Sequence, residues 1–248
     1  MTPAVLEVDL GPGVRAGFTT RAGGVSAPPW DSLDLGLHVG DDPAHVRENR
    51  ARVATWAGAP LAWSTQVHDT GVHVLDGADP GDTVGDADAL VSGLRGTGVG
   101  VLVADCVPVL LADAEAGVVG AAHAGRRGLV AGVVQAALAA MVARGADPAR
   151  VRAAVGPAIS GARYEVPEAM QREVVAAVPE TACRTDRGTP GLDLPAGVAA
   201  VLRRAGVADV LVTGWCTDSD LRFFSHRRAQ RAGTTTGRSA GVAVLSIV

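Results

Sequence analysis

Three residues of this chain carry side chains able to hold a metal or attack an electrophile. Each sits where a scaffold needs only a turn. His123 closes the apolar run GVVGAA and opens the turn HAGRRG. Cys106 follows VGVLVA and Asp105. His68 closes an alternating run, Trp63, Thr65 and Val67, in WSTQVHDT. A thiol and two imidazoles support two kinds of chemistry. They can bind zinc through three protein ligands, leaving a fourth position for water or substrate. Alternatively, Cys106 is a thiolate nucleophile and a histidine its base. A small core cysteine and two hydrogen-bonded histidines would account for the same letters. The gaps from 68 to 106 and from 106 to 123 exceed any local ligand spacing, so pattern alone does not join the three.

The turn after His123 adds cations. A helix over 128–144 would present unpaired N–H groups and a partial positive charge at its start, with Arg126 and Arg127 just before it. That combination suits a phosphate or another anion. Arg21, ahead of a Gly-Gly turn in TTRAGGVS, is a second anion candidate. Asp105 and Glu165 are candidates for moving a proton. A stacking wall for a planar ligand has few sources: Phe18, Trp30, Trp63, Tyr164, Phe223 and Phe224. FFSHRR, 223–228, reads as a buried aromatic pair with a basic surface tail.

The elements that must position these groups alternate. Strands are expected over 14–19, 99–104, 117–122, 151–155, 208–213 and 240–247. Asp42 can cap a helix running from Pro43 to Gly58. Further helices are expected over 128–144, 167–178 and 195–205. The strands ending at Asp105-Cys106 and at His123 read as neighbours, with the chemistry at their ends. The pattern is α/β or α+β in one domain spanning 1–248.

Composition sets limits. Of 248 residues, 48% are apolar, enough for a sizeable core. The net charge is −4, which implies no general attraction to nucleic acid. All 22 basic residues are arginine, which excludes Schiff-base lysines and a P-loop lysine. Three cysteines without a CxxC pair suggest no disulfide framework. MTPAVLEVDLGPG lacks the basic start of a signal peptide. The longest apolar stretch, 98–112, is interrupted by Asp105 and Pro108, so no membrane span is expected. A cytoplasmic location is the default.

Read in order, GFTTRAGGVS, SLDLGLHVGDDPAHVRENR, QVHDTGVHVL, ADALVSG, VADCVPVLLAD, GVVGAAHAGRRGL, VGPAISGARYEV, CTDSDLRFFSHRR and TTGRSAG resemble the YfiH-like family. Its members are also called laccase-domain proteins, polyphenol oxidases and peptidoglycan editing factors. The resemblance covers about 16–240. It implies a four-layer α/β/β/α sandwich with mixed sheets. It also implies a zinc site of His68, Cys106 and His123, which serve as both ligands and catalytic residues. The implied activity is phosphorolysis of adenosine, inosine, guanosine and methylthioadenosine, with deamination of adenosine. The substrates would be nucleosides and phosphate. Two departures stand out. Arg126 occupies a position where the family usually has tryptophan. Ser160-Gly161-Ala162-Arg163 replaces a Gly-Pro-Cys-Cys-like run.

Three rivals share these residues. One is a metal-free Cys–His hydrolase or amidase, as peptidoglycan precursor editing would need. Another is a copper polyphenol oxidase. A multicopper site with a blue centre and a trinuclear cluster uses about ten histidines, against the six present. The last is a non-catalytic binding protein.

Overall fold

The computed structural model describes residues 3–77 and 81–246. In chain order, β1 (Val5–Val8) and β2 (Val14–Thr19) lead into α1 (Pro43–Ala57). There follow β3 (Leu61–Ala62), β4 (Val72–Val74), β5 (Ala89–Ser92), β6 (Gly98–Val103), β7 (Val107–Asp113) and β8 (Val118–Ala124). The next elements are α2 (Arg126–Ala131), α3 (Val133–Val142), β9 (Arg152–Val155) and α4 (Glu168–Ala177). The chain then forms β10 (Ala182–Arg184), β11 (Pro190–Leu192), α5 (Leu194–Arg204), β12 (Asp209–Val212), α6 (His226–Arg231) and β13 (Ser239–Leu245).

Two mixed sheets form the centre. One has the order β1-β2-β13-β6-β3, the other β12-β9-β7-β8-β5-β4. The period-2 alternation of strand side chains places them face to face. Leu110, Ala112, Val119 and Ala121 of the six-stranded sheet share a core with Phe18, Val99, Val101 and Ala243 of the five-stranded one. Their neighbours Val109, Leu111 and Ala122 point the other way, into a second core with Leu129, Val134, Leu138, Val174 and Val198 from α2 to α5. On the far face of the five-stranded sheet, Leu102 and Val242 pack with Val53 and Ala57 of α1. The layers are therefore α, β, β, α, as the resemblance implies. Because both faces of β6, β7 and β8 are covered, every residue in these strands is buried.

Several elements differ from expectation. The helix expected over 128–144 is two helices. Gly132, at φ 101°, both ends α2 and begins α3. Its left-handed conformation suits glycine and breaks the helical ladder. Gly125 takes the capping position, so Arg126 and Arg127 lie inside the first turn rather than before it. The strand β7 was not expected, because the run 98–112 shows no period change at the turn that splits it. Consequently, the strands leading to Cys106 and His123 are not neighbours. β6 and β8 lie in different sheets, and Cys106 stands on the turn carrying the chain from one sheet to the other. His123 lies within β8, opposite Pro108 of β7. The alternating run at 63–67 forms only an isolated bridge from Thr65 to Asp86, while the strand itself is β3.

Other elements match. Asp42 accepts from the Ala44 N–H, Pro43 opens α1, and Gly58 closes it at φ 74°. β2, β9, β12, α4 and α5 agree with expectation to within a residue or so at each end. β13 does too, although Ile247, the last position expected in it, lies outside the described residues. Met1 and Thr2 also lie outside them. Among the described residues, no helix is long and apolar enough to cross a membrane.

Candidate metal centre

The two-sheet arrangement assembles what the sequence spacing left apart. The ligand atoms of His68, Cys106 and His123 all lie within 4.8 Å of one another. Among the described residues, which include all six histidines and all three cysteines, this is the single such cluster. Cys106 Sγ is 3.9 Å from His68 Nε2. The two imidazoles meet edge to face with centroids 4.7 Å apart. His123 is buried, Cys106 half-buried and His68 exposed, so the cluster is open on one side.

Asp88 organises it. Its Oδ1 accepts from His123 Nδ1 at 2.8 Å and from the His68 N–H at 3.0 Å. Its Oδ2 accepts from the N–H groups of Val67 and Asp69 at 3.0 and 2.8 Å. Three successive backbone N–H groups thus wrap one fully buried carboxylate. These bonds hold His68 at φ 63°, a left-handed conformation that costs a non-glycine residue free energy. The bond to Nδ1 fixes the His123 ring and leaves Nε2 free. Burial opposes ionisation of Asp88, but the bonds from His123 and the backbone outweigh it and hold the carboxyl below its ordinary range. Gln66 secures the same loop to β6 by exchanging two 2.7 Å bonds with the main chain of Leu102.

The second non-glycine residue with positive φ among the described residues is Asp105, at φ 90°. Its carboxylate accepts from Thr217 Oγ1 at 2.6 Å and from the Arg227 N–H at 2.6 Å. This fixes the turn bearing Cys106. Gly125 completes the enclosure. A Cβ there would lie 2.9 Å from His68 Cδ2 and 3.0 Å from Cys106 Sγ, so any side chain would displace both ligands.

Charge follows from the packing. Burial opposes the thiolate, yet the charge and hydrogen bonds of His123 and His68 prevail and lower Cys106 to about 6. Burial likewise opposes the His123 imidazolium, but Cys106 and Asp88 raise it to about 9. Each group thus favours the charged form of the other. A thiolate and two imidazoles form a donor set suited to zinc, and copper accepts the same donors.

Two cavities flank Cys106, and both are lined by Ala104, Cys106 and His226. The smaller, about 160 Å³, is bounded by Arg126, Ile159, Tyr164 and Leu194. Arg126 and Tyr164 line it together, and the Arg227 guanidinium lies 5.1 Å from the Tyr164 ring centre. The larger, about 310 Å³, is bounded by His38, Gln66, His68, His123 and Arg238.

The remaining sequence candidates are scattered. Arg127 is exposed and outside both cavities. Arg21 is held by Asp31, with Nη2 2.8 Å from Oδ1, and stands over the Phe224 ring. Glu165 is exposed and lines a separate arginine-rich hollow. Arg163, in the unusual 160–163 run, pairs with Asp186 and Asp218. Of the aromatic candidates, Tyr164 alone lines either cavity. Asp88, Gln66, His38, His226 and Arg238 received no role from sequence. The motifs ADALVSG and TTGRSAG contain Asp88 and Arg238, and their order along the chain was the available signal.

The chain is similar to known proteins along nearly its whole length. A family model described as multi-copper polyphenol oxidoreductase laccase matches residues 15–246. A purine nucleoside phosphorylase of Streptomyces griseus is 52% identical over 228 residues, covering 90% of this chain and 91% of that protein. A purine nucleoside phosphorylase of Mycobacterium tuberculosis is 48% identical over 233 residues, covering 92% and 91%. The crystal structure of YfiH from Bacillus licheniformis superposes with a TM-score of 0.89 at 30% identity, covering 99% of this chain and 97% of that one.

Proposed function

The chain belongs to the YfiH-like, laccase-domain family of enzymes, and from that premise we propose that it is a zinc-dependent purine nucleoside phosphorylase. The observation that carries this reading is the convergence of His68, Cys106 and His123 beside two cavities, in a chain half identical to proteins of that name. Its substrates are adenosine, inosine, guanosine or methylthioadenosine, together with phosphate. Deamination of adenosine takes place at the same centre.

Cys106 Sγ, His68 Nε2 and His123 Nε2 would hold the ion, as three protein ligands with an open fourth position. Zinc there supplies Lewis acidity. Asp88 keeps the His123 ring in one tautomer and orientation. Tyr164, with Arg126 and Arg227 against it, offers the planar surface for a purine. In phosphorolysis, a phosphate oxygen bonds to the anomeric carbon as the glycosidic C–N bond breaks. The electron pair leaves with the base, which takes up a proton. The carboxylate of Asp105 is engaged by Thr217 and Arg227, so its contribution is to fix the Cys106 turn.

One rival has a specific observation in its favour. Asp88, His123 and Cys106 form a carboxylate–imidazole–thiolate series with the polarity of a cysteine hydrolase. Purified protein assayed on adenosine with and without phosphate, alongside measured metal content, separates the two. Phosphate-dependent release of adenine, abolished by Cys106→Ala and by chelation, is expected. Full activity in rigorously metal-free protein would overturn the zinc role. A stoichiometric acyl adduct on Cys106 would establish the hydrolase instead.

A further inference from the structure

Arg238, in the motif TTGRSAG, immediately precedes β13. It lines the 310 Å³ cavity together with all three candidate metal ligands, His38 and His226. Its Nη1 donates to the carbonyls of Thr236 and Gly237, both at 3.1 Å. Its Nε and Nη2 have no hydrogen-bond partner among the described residues, and no carboxylate forms an ion pair with it. The nearby arginines differ. Arg163 and Arg231 pair with Asp218, Arg228 donates to the carbonyls of Thr217, Asp218 and Phe223, and Arg227 donates to that of Glu165.

The surroundings hold Arg238 in place without neutralising it. Asp34 Oδ1 accepts from the Arg238 main-chain N–H at 2.7 Å and from the Gly36 N–H at 3.0 Å. The carboxylate thus grips the backbone rather than the guanidinium. Gly36 gives the stem its room, because a Cβ there would lie 2.8 Å from Arg238 Cγ. No aspartate or glutamate lines this cavity. Burial lowers the pKa of Arg238, although the charges of Asp34, Cys106 and Asp105 act against that. Arg238 is half-buried and has no ion-pair partner among the described residues, and an anion presenting several oxygens matches the open side of its fork.

We propose that the 310 Å³ cavity is the site of the phosphate co-substrate and that Arg238 is its principal binding residue, with the nucleoside entering the Tyr164 cavity on the other side of Cys106. The assignment deepens the phosphorylase reading and rests on it. It replaces Arg21 and Arg127, which the fold directs elsewhere. Arg126 remains on the nucleoside side.

The test titrates inorganic phosphate into the metal-bearing protein by calorimetry and measures initial rates against both substrates. Arg238→Met should weaken phosphate binding and raise the KM for phosphate by about tenfold or more, the loss expected for a charge-assisted pair. The KM for nucleoside should change less than about twofold on the same scale. Arg238→Lys retains the charge and stem but loses the fork, and should fall between the two. It carries the test if the methionine variant does not fold. Unchanged phosphate affinity and phosphate KM in a folded variant, with phosphorolysis intact, would overturn the Arg238 assignment alone. Phosphate binding that depends on Arg238 without any phosphorolysis would refute the phosphorylase reading while the anion site stands. Failure of wild-type protein to bind phosphate would refute the site.

Discussion

The residue that decides the character of the centre is Asp88. Cys106 and the two histidines supply donors, but donors on three separate segments do not form a site unless something orients them. One buried carboxylate spends its lone pairs on the N–H groups of residues 67 to 69 and on the His123 ring. Asparagine has the same shape but replaces one acceptor oxygen with a donor. It cannot satisfy all four contacts. For Asp88→Asn, competition with a chelator should show metal affinity reduced about 10–100-fold, as is usual when the group orienting a ligand is lost. An unchanged affinity would mean that His123 is oriented without Asp88.

At the scale of elements, the clamp between the loop 33–38 and the start of β13 has a pH signature. Asp34 is fully buried, and its Oδ2 has no partner. Burial raises it to about 6, with Asp41 adding to the rise and the Gly36 and Arg238 contacts opposing it. A carboxyl raised in the folded state binds its proton more tightly there than in the unfolded chain. Its contribution to stability is complete below the ordinary value of 3.8 and is lost as pH rises through about 6. Denaturation of wild type and Asp34→Asn at several pH values isolates this contribution. Acidification from pH ~7 to ~4 should favour wild type over the variant by about 2 kcal/mol, since one pKa unit is worth about 1.36 kcal/mol and the unfolded carboxyl is only partly protonated at pH ~4. A difference between them that does not vary with pH would show that Asp34 titrates normally.

The whole molecule depends on the contact between its sheets. That core is built from small residues, Ala16, Ala112, Ala121 and Ala243, with a few large ones between them. Leu110 is fully buried within it. Leu110→Ala should cost about 2–5 kcal/mol, read as a lower denaturant midpoint with an unchanged slope. A cost below about 1 kcal/mol would mean that the sheets close up over the gap.

Much of this architecture was present in the sequence because it is local. Asp42, Pro43 and Gly58 bracket α1 through capping and a left-handed end. Apolar runs mark β6, β8 and β13 because strands covered on both faces need no polar alternation. The resemblance carried by the ordered motifs also joined His68, Cys106 and His123 into one site. Other features depend on distant parts of the chain meeting. Nothing local distinguishes β6 from β7, since one apolar run serves two sheets and only the turn at Asp105 separates them. Arg21, Arg126, Arg127 and Arg238 are equivalent cations on paper. Tertiary packing gives Arg21 to Asp31, sets Arg126 beside Tyr164 and Arg127 at the surface, and it leaves Arg238, which lines the cavity of the metal-ligand cluster, with Nε and Nη2 unpartnered among the described residues. The sequence by itself determined which side chains this protein has available for chemistry. The tertiary structure decided which of them are spent on one another, because a hydrogen bond or ion pair satisfied within the protein is no longer available to a ligand.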